Sequence, residues 1–139
     1  MNLAVNARKK KILAIEDDPE VLHLYVSFFR KQGYEVVTAS GAIEGMALYS
    51  AHPDTKLVLL DLGLPGMSGE EWMRWYAGQN NKVPVVVASG KGDILTLTKS
   101  NNLTAALTKP FHMEELQELV EVLLADDWKG EVSADRMTH

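Results

Sequence analysis

Leu57-Val58-Leu59-Leu60-Asp61-Leu62-Gly63-Leu64-Pro65-Gly66-Met67-Ser68-Gly69 is the stretch that decides the fold of this 139-residue chain. Four consecutive apolar residues suit a strand covered on both faces, as in a parallel sheet. A carboxylate closes the run, and a loop rich in glycine and proline follows. In open α/β sheets the residues just past the carboxyl ends of the strands line the ligand crevice. Asp61 therefore points at a site. The competing local reading is an aspartate that caps the next helix or holds a turn.

Upstream, Ile12-Leu13-Ala14-Ile15 reads as a strand ended by Glu16-Asp17-Asp18. Asp18 before Pro19 has the pattern of an N-cap with proline at the first helical position. Val21, Leu24, Tyr25 and Phe28 then recur at helical spacing until Gln32-Gly33. Residues Tyr34 to Ala39 form a second strand candidate. Ser40 reads as the cap of a helix bearing Ile43, Met46, Ala47 and Leu48, which stops at His52-Pro53.

Downstream of Asp61, a helix from Ser68 or Gly69 carries Trp72, Met73 and Tyr76 as a core stripe. Val83 to Ala88 is a fourth buried strand, its proline confined to the start, and it ends in Ser89-Gly90. Lys91 to Ser100 reads as a weak helix. Thr104 to Thr108 is a short fifth strand followed by Lys109-Pro110-Phe111, and Met113 to about Ala125 is the last helix.

Five strands alternating with five helical segments predict an α/β fold, a doubly wound parallel sheet in a three-layer sandwich. Right-handed crossovers leave few topologies, and the flavodoxin-like order 2-1-3-4-5 sets strands one and three side by side. Glu16 and Asp17 then lie beside Asp61, and Ser89 and Lys109 reach the same sheet edge.

Composition narrows the chemistry. With no cysteine, disulfides, zinc–thiolate sites and thiol catalysis are excluded. A formal charge of −5 argues against nucleic acid as a direct partner. The one basic run, Arg8-Lys9-Lys10-Lys11, reads as a solvated lead-in to the first strand. No stretch approaches the length of a membrane span, and a cytoplasmic location is the expectation.

Three carboxylates within about 5 Å of one another repel by about 3 kcal/mol per pair at an effective dielectric near 20. Such a cluster calls for a proton or a cation among its members. An all-oxygen donor set with room for water suits Mg²⁺ or Mn²⁺. Glu16, Asp17 and Asp61 against a divalent cation and Lys109 make a neutral pocket that can receive a phosphoryl group. Asp61 could serve as the nucleophile, with Lys109 and the metal stabilising phosphoryl oxygens and Ser89 donating a hydrogen bond.

Carried by Glu16-Asp17, Asp61 with Leu64-Pro65 and Gly69, Ser89, and Lys109-Pro110-Phe111, the chain resembles the receiver domains of two-component response regulators from about Lys10 to Leu124. The resemblance implies a lead-in over 1–9, a receiver domain over 10–125 and a polar tail over 126–139. It implies that Asp61 accepts a phosphoryl group from a sensor histidine kinase or a histidine phosphotransfer protein. It further implies direct Mg²⁺ ligation by Asp17, Asp61 and the Gly63 backbone carbonyl, with Glu16 acting largely through water. Lys109 would contact the phosphoryl group, Ser89 would be the switch hydroxyl, and the Lys109–Pro110 peptide would be cis. Output would pass to a downstream protein target or along a phosphorelay, and the family's capacity to pair through its fourth and fifth helices leaves a homodimer open.

Two features depart from the family pattern. Ala106 stands where an aromatic partner of the switch hydroxyl is usual, and Asn102-Leu103 replaces the usual Gly-Ala pair. The loop Gly90-Lys91-Gly92 is an alternative route for the signal, with Lys91 placed to reach the phosphoryl group. Two other functions compete with the phosphoacceptor switch. One is a receiver-like interaction module acting without phosphorylation. The other is an aspartyl-phosphate hydrolase of the haloacid-dehalogenase type, against which Gly63 speaks, because that class needs a second aspartate there. A signalling module rather than a turnover enzyme is the expectation.

Overall fold

Apolar runs too short for helices become strands here, because a sheet buried on both faces needs apolar residues at successive positions. The computed structural model describes residues 9–80, 82–90, 92, 94 and 104–125. Its strands are β1 (Lys11–Ile15), β2 (Glu35–Ala39), β3 (Thr55–Leu60), β4 (Val85–Ser89) and β5 (Ala105–Thr108). The helices are α1 (Pro19–Lys31), α2 (Ala42–Ala51), α3 (Gly69–Ala77) and α4 (Met113–Leu123). All strand pairs are parallel, in the order β2-β1-β3-β4-β5. This is the predicted doubly wound, flavodoxin-like order.

The period of two along each strand divides the core into two layers. Leu13, Ile15, Val58, Leu60, Val85, Val87 and Ala106 join Trp72, Met73 and Tyr76 of α3 and Tyr49 of α2. Ile12, Ala14, Leu57, Leu59, Val86 and Leu107 face Tyr25 and Phe29 of α1 and Leu116, Leu119 and Val120 of α4. Asp18 caps α1 through its side chain to the Glu20 N–H, with Pro19 at the first helical position. Ser68 and Glu71 form a reciprocal capping box on α3.

Several local expectations are corrected. The N-cap of α2 is Gly41, not Ser40, whose N–H instead donates to Glu44 Oε1 at 2.6 Å. Ile43 and Leu24 are exposed, at 72 % and 48 %, so the inward faces of α2 and α1 are carried by Ala42, Gly45 and Tyr49 and by Tyr25 and Phe29. Strand β4 begins at Val85 rather than Val83, because the Tyr76 hydroxyl takes both the N–H and the carbonyl of Val83. Tyr34 gives its N–H to Phe29 O and closes the turn after α1 instead of opening β2. Lys11 is not solvated lead-in but the buried first residue of β1, bonded to Asp54 Oδ1 and His52 Nδ1, each at 2.9 Å. Its neighbour Lys10 bonds the Leu124 carbonyl beyond the end of α4.

Within the predicted weak helix, Gly92 and Ile94 have helical backbone, and Ile94 is buried in the α2/α3 layer. The remainder of that segment, including Lys91, lies outside the described residues, as do Asn102-Leu103, residues 1–8 and the tail from Asp126.

Candidate functional site

Hydrogen bonds between strand ends gather the polar residues at one edge. Glu16 N–H bonds to Ala39 O beyond β1, Asp61 N–H bonds to Ile15 O beyond β3, and Lys109 N–H bonds to Ser89 O beyond β5. The strands β1, β3, β4 and β5 therefore deliver Glu16, Asp61, Ser89 and Lys109, at or one residue past their carboxyl ends, to the same crevice.

Glu16 is the most deeply buried acid there, 2 % exposed. One of its oxygens, Oε1, accepts from Lys109 Nζ at 2.6 Å, and the other, Oε2, accepts from the Asp18 N–H at 3.1 Å. Burial pushes its carboxyl above the ordinary range despite those two bonds, and the nearby Asp61 charge acts in the same direction. Asp61, 9 % exposed, accepts at Oδ1 from Ser89 Oγ at 3.0 Å and from the Gly63 N–H at 3.1 Å. Its Oδ2 lies 3.8 Å from Lys109 Nζ. Asp17 stands at the exposed mouth.

Oxygen atoms of Glu16, Asp17 and Asp61 lie within 4.8 Å of one another. Among the described residues, three carboxylates against one ammonium leave two negative charges, which a divalent cation would balance. Donors around Mg²⁺ sit at about 2.0–2.1 Å, so opposite ligands are roughly 4 Å apart. The cluster thus fits direct ligation by some of these oxygens. Glu16 has both oxygens already engaged, which suits it better to a water-mediated role.

Glu16, Asp17, Asp61, Gly63, Ser89 and Lys109, named as site candidates from the sequence, lie at this edge, while Lys91 falls outside the described residues. The sequence reading missed the Gly63 N–H, whose bond to Oδ1 makes an Asx turn two residues on, a pattern the Asp-x-Gly spacing could have disclosed. It also treated Tyr25 only as core. Burial, with the charges of Glu16 and Asp61, raises the Tyr25 hydroxyl well above its ordinary range. The Lys109–Pro110 peptide is cis. Ala106 is fully buried in β5 opposite Val87, with no aromatic ring to move.

Residues 12–121 match the family model of the response regulator receiver domain. The chain belongs to that family. It is 33 % identical over 124 residues to nodulation protein W of Bradyrhizobium diazoefficiens, covering 87 % of this chain and 54 % of the relative. It is 32 % identical over 108 residues to the cell cycle transcriptional regulator CtrA of Caulobacter vibrioides, covering 76 % and 46 %. The chain therefore spans about half the length of these curated relatives. The response regulator TrrA of Thermotoga maritima, solved in complex with Mg²⁺ and BeF, is similar with a TM-score of 0.74 and 26 % identity, covering 83 % of this chain and 99 % of that one. No helix among the described residues of this receiver is long and apolar enough to cross a membrane.

Proposed function

We propose that this receiver is a phosphoacceptor switch in which Asp61 takes a phosphoryl group from a phosphohistidine of a sensor kinase or phosphotransfer protein. The observation that carries the reading is the meeting of Asp61 with Glu16, Asp17, Ser89 and Lys109 at one strand-end crevice. An Asp61 carboxylate oxygen attacks phosphorus, the P–N bond to the donor imidazole breaks, and the imidazole leaves with the bonding pair. Lys109, now close to Glu16, faces the incoming phosphoryl oxygens, and Ser89 transfers its hydrogen bond from Asp61 to one of them. Asp17, Asp61 and the Gly63 carbonyl would hold Mg²⁺ or Mn²⁺, with Glu16 acting through water. When bound, that ion supplies charge neutralisation at the phosphoryl group.

Signalling without turnover is the favoured outcome, since Gly63 offers no second carboxylate to activate water two residues past the nucleophile. The decisive measurement is the intact mass after incubation with acetyl phosphate and Mg²⁺. One phosphoryl group should be gained, survive an acid quench, be lost in base and be absent from Asp61→Asn. No gain would leave the interaction module as the reading, and sustained phosphate release over many turnovers would favour the hydrolase.

A further inference from the structure

The acidic run Glu16-Asp17-Asp18 ends at the first turn of α1, and the phosphoacceptor chemistry leaves its third acid without a part. Asp18 is exposed and its backbone is extended, at φ −82° and ψ 113°. Its side chain accepts from the Glu20 N–H at 2.9 Å, and its carbonyl accepts from the Leu22 N–H at 3.1 Å. Both of these groups serve α1. Its own N–H serves the crevice instead, donating to Glu16 Oε2 at 3.1 Å. Asp18 thus joins the start of a helix to the most deeply buried acid of the site. Pro19 disfavours helical backbone at Asp18 and so keeps it in the capping conformation. The helix is itself anchored, with Tyr25 and Phe29 buried against the sheet.

This link matters for the direction of the Glu16 carboxylate. Oε1 holds Lys109 Nζ at 2.6 Å, so that direction sets where the ammonium waits relative to Asp61. The last torsion of a glutamate is broad, and a bond to each oxygen narrows it where one bond would not. Asp17 lies inside the same bend, between Glu16 and Asp18. The bond that closes the bend therefore also steadies the backbone that carries the carboxylate at the mouth. Across the crevice the Gly63 N–H donates to Asp61 Oδ1 with the same spacing of two residues.

We propose that Asp18 is a positioning residue for phosphoryl transfer. By capping α1 it holds its own N–H on Glu16, and through this bend it sets Lys109 and the Asp17 carboxylate. The proposal rests on the phosphoacceptor reading of Asp61. Asp18→Asn and Asp18→Ala are both neutral at this position, but only the first caps a helix well, so comparing them sets the charge aside. His23→Gly, at an exposed position in the second turn, weakens α1 without touching the bend. On the full chain, amide exchange at residue 18, Mg²⁺ affinity by calorimetry and the rate of mass gain from acetyl phosphate are measured. Relative to Asp18→Asn, Asp18→Ala should exchange that amide faster, bind Mg²⁺ about fivefold more weakly and label about fivefold more slowly. His23→Gly should match the parent in Mg²⁺ affinity and labelling. Equal Mg²⁺ affinity and labelling in Asp18→Ala and Asp18→Asn, or an equal loss in His23→Gly, would overturn the proposal. A parent that gains no phosphoryl group fails the phosphoacceptor reading instead, and amide exchange and Mg²⁺ affinity then still decide whether Asp18 holds the cluster.

Discussion

Lys109 Nζ lies 2.6 Å from Glu16 Oε1 but 3.8 Å from Asp61 Oδ2. The lysine is thus held by the buried acid that has no proposed part in bond making, and it remains within reach of the one that does. Glu16 acts as a berth for the ammonium. A phosphoryl group on Asp61 would compete for that ammonium, so the Lys109–Glu16 contact is a contact that phosphorylation should change.

Removing the ammonium should expose the repulsion it offsets. Lys109→Met leaves Glu16, Asp17 and Asp61 without a cation among the described residues, and a broken buried pair costs several kcal/mol. Because the Lys109 side chain is 32 % exposed, a smaller loss of about 2 kcal/mol is expected. Urea denaturation should show it, with millimolar Mg²⁺ recovering part of the loss. A variant as stable as the parent without metal would contradict the charge balance described for this cluster.

Magnesium should stabilise the parent protein by binding the folded carboxylate cluster. At 100 times the dissociation constant the gain is about 2.7 kcal/mol, or about 8 °C in melting temperature at roughly 3 °C per kcal/mol. Asp61→Asn keeps an oxygen for Ser89 and the Gly63 N–H but removes one charge. Its metal-free melting temperature should rise by about 3 °C, and its response to Mg²⁺ should shrink. Thermal melts with and without the ion check both expectations.

What could be read from the sequence follows from which features are local. Leu57-Val58-Leu59-Leu60 and Val85-Val86-Val87 announce strands because burial on both faces demands unbroken apolar runs. Asp61, Ser89 and Lys109 announce a site because each stands at the carboxyl end of a strand segment, and topology alone then unites them. The exposure of Ile43 is not legible in the sequence, because α2 is apolar around most of its circumference and spacing cannot say which side faces the sheet. Val83 left the strand because of a hydroxyl seven residues earlier in the chain, on Tyr76, whose reach no local pattern records. Lys11 looked solvated in a run of four basic residues. Its partners, Asp54 and His52, are more than forty positions away and become visible only in the fold.

Gly69 couples the loop after Asp61 to α3. A methyl group at this position would lie 2.1 Å from Leu62 Cδ2 and 3.1 Å from the Leu62 Cα, so backbone as well as side chain must move. Gly69→Ala should therefore cost about 1–3 kcal/mol by overpacking. Since Leu62 adjoins Asp61, labelling by acetyl phosphate should slow as well. At Gly45 the same change meets only the Ile15 side chain, at 2.6 Å, and should be milder. Parallel urea titrations of the two variants would show the ranking, and a reversed order would contradict the tie between Leu62 and Gly69.

The Lys11–Asp54 pair sets the pH window of the opposite edge. The hydrogen bond from Lys11 holds the Asp54 carboxyl below its ordinary value of 3.8, and the bond to Asp54 holds the Lys11 ammonium above 10.5. A depressed acid contributes stability above its unfolded value and loses it as pH falls through the folded one. A raised base contributes below its unfolded value and loses it as pH rises through the folded one. The pair should therefore stabilise the fold evenly from about pH 5 to 9 and fade below about 4 and above about 10.5. Comparing the parent with Asp54→Asn by chemical denaturation across pH isolates this contribution. The difference between them should be flat through neutrality and narrow towards both extremes, whereas a gap that does not begin to narrow as pH falls below about 3.8 would assign the stabilisation to packing around Lys11 instead of charge.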